Sequence, residues 1–408
     1  MKKVSVTEGS AITSGTVRVG TSSFRRINVA LFCAGFITFV TLYDVQPLLP
    51  LFAQEFGVSP AIASLPLSCA TIALALGMLL AGTVSETLGR RPVMSVALFL
   101  TSLLALATLF SHSFTSLLAL RLFQGIVLAG VPSVAMAYLG EEMDSNAIGH
   151  AMGLYISGNA MGGMTGRIGS ALLCSYMPWH TAIAVIGGIS LLLSLLFLKA
   201  LPVSTNFHQR PFRFRYLLTS LYQHLRDPGL HCLYALAFLS MGGFVSLYNY
   251  IGFRLLKAPY NLSQFQVSLI FLVYLLGSFS SGVVGSLIHR FGRPFMIRLT
   301  LSTMLAGTLV TLFDSLPVIV AGVGIFTCGF FCAHAIASSW VGRRAKTAKA
   351  QASSLYLFSY YLGSSISGTV GGMFWQHFGW NGVAAMIVLL TVAALGVAAL
   401  LLRMPVVE

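Results

Sequence analysis

Long apolar runs separated by short polar turns fill the chain from about residue 27 to residue 402. A helix needs about 20 mostly apolar residues to cross the hydrocarbon core of a bilayer, and about twelve stretches reach that length. They span residues 27–50, 60–84, 92–111, 115–139, 148–173 and 179–200, then 229–253, 262–288, 294–313, 317–341, 350–373 and 381–402. The pattern predicts an all-α integral membrane protein with two sets of six spans. Residues 1–24 read as a polar tail, 25–200 as one six-helix bundle, 201–228 as a linker carrying Arg210, Arg213, Arg215 and Arg226, and 229–408 as a second bundle.

The halves repeat. Leu154-Tyr155 in the fifth run returns as Leu355-Tyr356 in the eleventh, 201 residues on, and Gly162 then falls on Gly363. Paired repeats of this kind are what alternating-access transporters use, with the substrate site at the repeat interface.

Composition sharpens the picture. Of 408 residues, 56% are hydrophobic and 8% charged, against about a quarter charged in soluble domains. The net charge of +14 would suit nucleic acid, but the charges sit in short turns between apolar runs, and no nucleic-acid partner is expected. With the N-terminus inside, 20 of the 24 lysines and arginines fall on the cytoplasmic side, so the positive-inside bias predicts that both termini are cytoplasmic. The six cysteines lie in or near apolar runs and read as free packing residues, not a disulfide framework or metal site.

One turn recurs. Gly82-Thr-Val-Ser-Glu86-Thr-Leu-Gly89-Arg90-Arg91-Pro92 returns 203 residues later as Gly285-Ser-Leu-Ile-His289-Arg290-Phe-Gly292-Arg293-Pro294. Gly89 and Gly292 can take the backbone angles of a tight turn. Each Pro suits the first turn of the next helix. The arginines hold the turn to one side of the membrane.

At these residues the chain resembles the major facilitator superfamily, whose turn between helices two and three reads G-x-x-x-D-R-x-G-R-R, and within it the drug and metabolite proton antiporters of bacterial inner membranes. Glu86, Thr87 and His289 depart from that pattern. The resemblance implies that Gly82, Glu86, Gly89, Arg90, Arg91, Gly285, His289, Arg290, Gly292 and Arg293 form a conformational latch at the cytoplasmic face; topology and turn-making alone would also account for the arginines. Glu141 and Glu142 are further partners for those arginines.

Only ten residues are acidic, and Asp44 is the one set inside a span, in Tyr43-Asp44-Val45-Gln46-Pro47. An ionisable group at that depth is expensive and is a functional candidate by default. Arg121 enters the membrane from the same side at a similar depth, with Gln124 on the same helical face. Arg121-Leu-Phe-Gln124-Gly125 resembles the family's R-x-x-Q-G motif, which implies proton coupling. Either protonation of Asp44 releases Arg121, or the two form a static pair that joins helices one and four.

Tyr155-Ile-Ser157-Gly158-Asn159-Ala-Met-Gly162-Gly163 resembles the family's antiporter motif, with Asn159 in place of a Pro. Gly158, Gly162 and Gly163 are read as helix-packing positions. Tyr155 and Asn159, with Tyr356 and Tyr360 at corresponding places in the second half, are candidates to line a central cavity. Gln46, Gln124, Asn249 and Tyr250 are further cavity candidates. His334, inside the tenth run, is read as a second proton site, a substrate contact or a packing residue. Arg167 is expected to snorkel to the outer interface.

The expected function is secondary active transport: proton-coupled export of a small organic drug or metabolite, with the proton gradient as driving force and no cofactor or metal. Proton symport or uniport is the alternative. An enzyme fits least, because no HExxH, GxSxG or paired carboxylate lies within the runs, and a channel would call for a pore-lining ring. No Walker A sequence is present. The expected partners are the lipid bilayer and a small-molecule substrate, for a monomer in the inner membrane of a bacterium.

Overall fold

The computed structural model describes residues 15–209 and 214–404. The chain forms an all-helical membrane fold, with a single isolated bridge between Val17 and Met143 outside the helices among the described residues. Residues 1–14 of the expected tail 1–24, Arg210 and Arg213 of the linker and the last four residues lie outside the described part; the rest of that tail is ordered against the first half, with Val17 bridged to Met143 and α1 beginning at Ser22. Helices α1 to α10 cover Ser22–Glu55, Leu65–Leu88, Arg90–Phe110, Phe114–Glu142, Ile148–Leu173, Trp179–Ala200, Pro228–Leu255, Gln264–Phe291, Arg293–Val310 and Leu316–Arg344. The run Lys349–Leu402 holds two more, α11 (349–378) and α12 (380–402). Gly379 separates them with φ 57° and ψ −145°, so the chain turns back within one residue where the sequence pattern predicted a longer break. The region read as a linker contains its own short amphipathic helix, Phe214–His224.

The ends of these helices follow from local chemistry. Thr21 accepts a hydrogen bond from the Phe24 amide at the start of α1. Ser113 and Ser263 form capping boxes at α4 and α8. Asp227 accepts from the amides of Gly229 and Leu230, with Pro228 at the first position of α7. These groups satisfy amides that a helix leaves open at its N-terminus. Gly89 and Gly292 stop α2 and α8 with φ of 96° and 77°, angles that side-chain-bearing residues rarely adopt.

The two halves are assembled alike. In the first, Gly158, Gly162 and Gly166 of α5 press against the carbonyl oxygens of Phe32, Phe36 and Val40 of α1, where any Cβ would collide with backbone. In the second, Gly363 of α11 presses on the Phe238 carbonyl of α7. Within lipid, where apolar burial gives helices little reason to associate, such small-residue seams let backbones approach.

Hydrogen bonds between the halves, among the described residues, lie on the face away from the described termini. Gln46 Nε2 donates to Asn249 Oδ1 at 2.7 Å, and the Thr71 and Ser365 hydroxyls meet at 2.7 Å. Thr369 donates to Ser68 at 2.9 Å, and Gln264 donates to the Pro47 carbonyl. The bundles are thus sewn together on the far side.

Candidate functional site

The site begins with a break in α1. Regular α-helix ends at Tyr43, Asp44 caps it, and Gln46–Leu48 makes one 3₁₀ turn around Pro47. A helix end leaves carbonyl oxygens without backbone partners. Arg121 of α4 takes two of them: Nη1 donates to Thr41 O at 2.7 Å and Nη2 donates to Leu42 O. The same Nη1 reaches Asp44 Oδ1 at 3.1 Å and Gln124 Oε1 at 2.6 Å, and Nε reaches Pro66 O at 3.4 Å. Arg121 is 1% exposed and Asp44 not at all. The structure therefore brings Asp44, Arg121 and Gln124 into one buried cluster. Asp44 Oδ2 is buried with no hydrogen-bond partner among the described residues. One oxygen is held by a cation and the other is unpartnered, a geometry that has room for a proton.

A second cluster belongs to α7, α10 and α11. The His334 Nδ1 and the Tyr356 hydroxyl are 3.0 Å apart. The His334 ring lies parallel to Phe330 at 6.1 Å and 4.8 Å from Tyr360. Phe330 in turn stacks on Phe244 at 3.9 Å. His334, Phe330, Tyr356 and Tyr360, together with Ser240 and Ala337, border a cavity of about 10 Å³, room for about one water. Phe244 also lies 5.5 Å from the ring of Tyr274 on α8, so this cluster continues to that helix.

The other expected cavity residues divide. Tyr155 is fully buried, and its hydroxyl has no partner among the described residues. Asn159 sits in the α1–α5 seam against Gly35. Gln46 and Asn249 form the cross-bundle bond of the far-side seal, and the Tyr250 hydroxyl donates to the Gly368 carbonyl in the same layer. Of the packing glycines, Gly158 and Gly162 meet α1, whereas Gly163 faces the Arg167 guanidinium.

Arg167 departs most from expectation. It is 2% exposed rather than snorkelling. Nε donates to Gln46 Oε1 at 2.6 Å and Nη1 to the Gly163 carbonyl at 2.7 Å. Its guanidinium carbon lies 3.9 Å from the Tyr43 ring, 4.8 Å from Tyr274 and 5.1 Å from Phe271. The available signal was positional: Arg167 adjoins Gly166 and follows Gly163 by four, on the small-residue face that packs inward.

At the opposite face, Arg90 is buried and its Nη2 donates to Glu141 Oε1 at 2.7 Å. Nη1 donates to Ser85 Oγ at 2.5 Å, and Phe207 of the linker lies 5.6 Å from the guanidinium. Arg91 donates to the Leu198 carbonyl at 2.8 Å. Arg90 is thus tied to α4 through Glu141, and Glu86 makes no ion pair among the described residues. The second copy differs: His289 and Arg290 are exposed, Arg290 stacking near its neighbour Phe291 at 5.2 Å, and Arg293 has a buried Nε without a partner among the described residues. No atom lies within 4 Å of a Cβ built at Gly82 or Gly285, so neither is a close-packing position among the described residues. At this face the second half has its own ion pair among the described residues, Arg344 with Asp227 at 2.8 Å.

Comparison with known proteins bears on the sequence and the fold as a whole. A profile of the Major Facilitator Superfamily fits residues 30–367 and, again, 233–408. The chain is 49% identical to the MFS-type transporter YybF of Bacillus subtilis, covering 95% of this chain and 96% of that one. It is 48% identical to the inner membrane transport protein YnfM of Escherichia coli, covering 93% and 91%. Among solved structures, that of a point mutant of the nucleoside transporter NupG superposes with a TM-score of 0.77 at 13% identity, covering 92% of this chain and all of that one, a likeness of fold.

Proposed function

Because the chain belongs to the Major Facilitator Superfamily and is a multi-pass membrane transporter of small molecules, we propose that it exports a small organic compound in exchange for protons. Residues 25–200 and 229–408 act as two rocking bundles joined by the 201–228 linker, in a monomer with both termini cytoplasmic. No cofactor takes part, and the proton gradient supplies the energy.

The observation that carries the reading is the fully buried Asp44–Arg121 pair with Asp44 Oδ2 left unpartnered among the described residues. A membrane-buried carboxylate is costly to keep unless it is used. Protonation of Asp44 removes the charge that Arg121 faces. Because Arg121 also holds the Thr41 and Leu42 carbonyls, the proton then acts on the joint at which α1 breaks. Gln46, two residues beyond Asp44, is part of the far-side seal. Neutralising Asp44 and loosening that seal are thereby linked along one short segment, which is the differential interaction a conformational switch requires. With the far side facing out, as the Lys and Arg distribution indicates, the sealed face is the external one and the next step opens it. Arg90, Glu141, Arg344 and Asp227 brace the cytoplasmic ends of each bundle separately, which lets the bundles move as units.

The test uses inside-out vesicles energised to an acidic interior, with luminal pH followed while candidate organic compounds are added. Substrate-induced alkalinisation in wild type, lost in Asp44→Asn, supports the proposal. Saturable substrate flux with no proton movement in wild type, or unchanged alkalinisation in Asp44→Asn, overturns it.

A further inference from the structure

Among the described residues, Arg167 is a cation without an anion. It is buried at the seam between the bundles, and none of the ion pairs among the described residues includes it. Asp44 is engaged by Arg121, and Glu55 accepts from the Trp179 indole at 2.7 Å. A buried charge normally persists in a membrane protein because it is paired or because it serves a ligand. Here the hydrogen bonds of Arg167 go to two neutral acceptors, Gln46 Oε1 and the Gly163 carbonyl, and neither bond uses Nη2.

The neighbouring polar groups show the same deficit. Gln46 links Arg167 to Asn249, whose buried Nδ2 has no acceptor among the described residues. The hydroxyl of Tyr274, whose ring lies beside the guanidinium, is likewise buried without a partner there. Three side chains from α5, α7 and α8 thus hold unused donor capacity around one cation. A ligand that only accepts hydrogen bonds and carries negative charge answers all three; an ammonium is repelled by Arg167, offers the Asn249 amide nothing, and finds an acceptor only in the Tyr274 hydroxyl. The surroundings are aromatic, with Tyr43, Phe271 and Tyr274 around the guanidinium, so an apolar or planar body fits next to the anionic head.

We propose that Arg167 is the anchor for the substrate's carboxylate, and that the transported class is small monovalent organic acids with an aromatic or otherwise apolar body. The proposal rests on the transporter reading and adds its substrate class. Arg167 and Gln46 also connect the site to the far-side seal. A carboxylate on Arg167 competes with Gln46 for the guanidinium and so bears on the same closure that Asp44 adjoins.

The experiment is equilibrium binding to purified full-length protein in detergent, read as a shift in melting temperature, with benzoate, indole-3-acetate and butyrate as probes. Benzamide and benzylamine serve as neutral and cationic counterparts. Because it needs neither flux nor a proton gradient, its outcome is separate from that of the vesicle assay: Asp44→Asn that binds benzoate but fails to couple would unseat neither this site nor the fold. The expected result is stabilisation by benzoate or indole-3-acetate and none by benzamide or benzylamine. Arg167→Gln is expected to weaken binding about ten- to hundred-fold, the loss typical of a hydrogen bond to a charged group. Arg167→Lys keeps the charge and retains part of the affinity, and Tyr274→Phe weakens it less than Arg167→Gln. Without ligand, Arg167→Gln is expected to melt no lower than wild type, because it removes an uncompensated buried charge; a purely structural arginine would give the reverse. The proposal is overturned if no carboxylate stabilises wild type, or if benzamide or benzylamine does so equally. It is also overturned if affinity is unchanged in Arg167→Gln, or, should that variant not fold, unchanged in both Arg167→Lys and Tyr274→Phe.

Discussion

Arg121 donates to Asp44 across 3.1 Å and, from the same guanidinium, to the carbonyl oxygens of Thr41 and Leu42, so one side chain holds both the membrane's buried acid and the broken end of α1. The two partners are therefore unequal. Arg121→Ala leaves a fully buried carboxylate and two helix-end carbonyls without donors, and removing one partner of a buried pair costs about 3–5 kcal/mol. Asp44→Asn keeps a polar group of the same shape and leaves the carbonyl bonds in place, but it leaves Arg121 a buried cation without an anion, so its expected cost is about 3 kcal/mol, the low end of that range. Fluorescence-detected melting of the purified variants checks the order. Equal losses would mean that the ion pair alone, and not the clamp on α1, holds the cluster.

The seam between α1 and α5 predicts a contrast among glycines of one helix. A Cβ at Gly162 would collide with the Phe36 backbone, whereas one at Gly153 has nothing within 4 Å. Gly162→Ala must push two helices apart, with an expected cost of about 1–3 kcal/mol. Gly153→Ala meets no neighbour and replaces a poor helix former, so it is expected to be neutral or to stabilise by up to about 1 kcal/mol. Melting temperature and the yield of monodisperse protein measure both, and equal effects would remove the seam as the reason.

These contacts mark how far the sequence could be read. The positive-φ turns at Gly89 and Gly292 were legible because the requirement is local to a single residue. Asp44 and Arg121 were legible because charges within apolar runs are scarce and the runs are antiparallel. Arg167 was misplaced because a lone cation near a helix end either reaches the interface or turns inward according to what packs against it, and its partners come from α1 and α8. Gln46, Asn249 and Tyr250 were expected along a cavity and lie in a seal, since which face of a transporter is closed is a property of the conformation and not of local pattern. The break between α11 and α12 shrank to Gly379 because residues 374–378 continue the helix up to that glycine.

The turn after α2 was read with Glu86 as the acid of the latch, and spacing alone favours it, four residues before Arg90. Arg90 instead crosses to Glu141 on α4, with Nε 3.2 Å and Nη2 2.7 Å from its two carboxylate oxygens. A double-mutant cycle on Arg90 and Glu141 is expected to give a coupling energy of about 1–2 kcal/mol, because Arg90 is largely buried and the contact is a charge-assisted fork. The cycle on Arg90 and Glu86 should give no coupling. Coupling to Glu86 of equal size would restore the local reading of the motif.

The corresponding brace in the second half titrates. Burial alone would raise the Asp227 pKa, but the hydrogen bonds from Arg344 and from the Gly229 and Leu230 amides outweigh it, and the carboxyl sits below its ordinary value. A carboxylate with a depressed pKa in the folded state adds stability at pH values above its unfolded pKa of about 4. That contribution is lost as pH falls through the lower, folded value. Asp227 is at the rim of α7 and partly solvated, so the effect is screened and small. Melting temperature measured from pH 7 down to about 3 is expected to fall more steeply in wild type than in Asp227→Asn, with the two curves converging at the acid end. Arg344→Gln should flatten the wild-type curve in the same window, since it removes the cation while leaving the helix cap. Parallel curves for all three proteins would show that Asp227 caps α7 without its charge contributing to the brace.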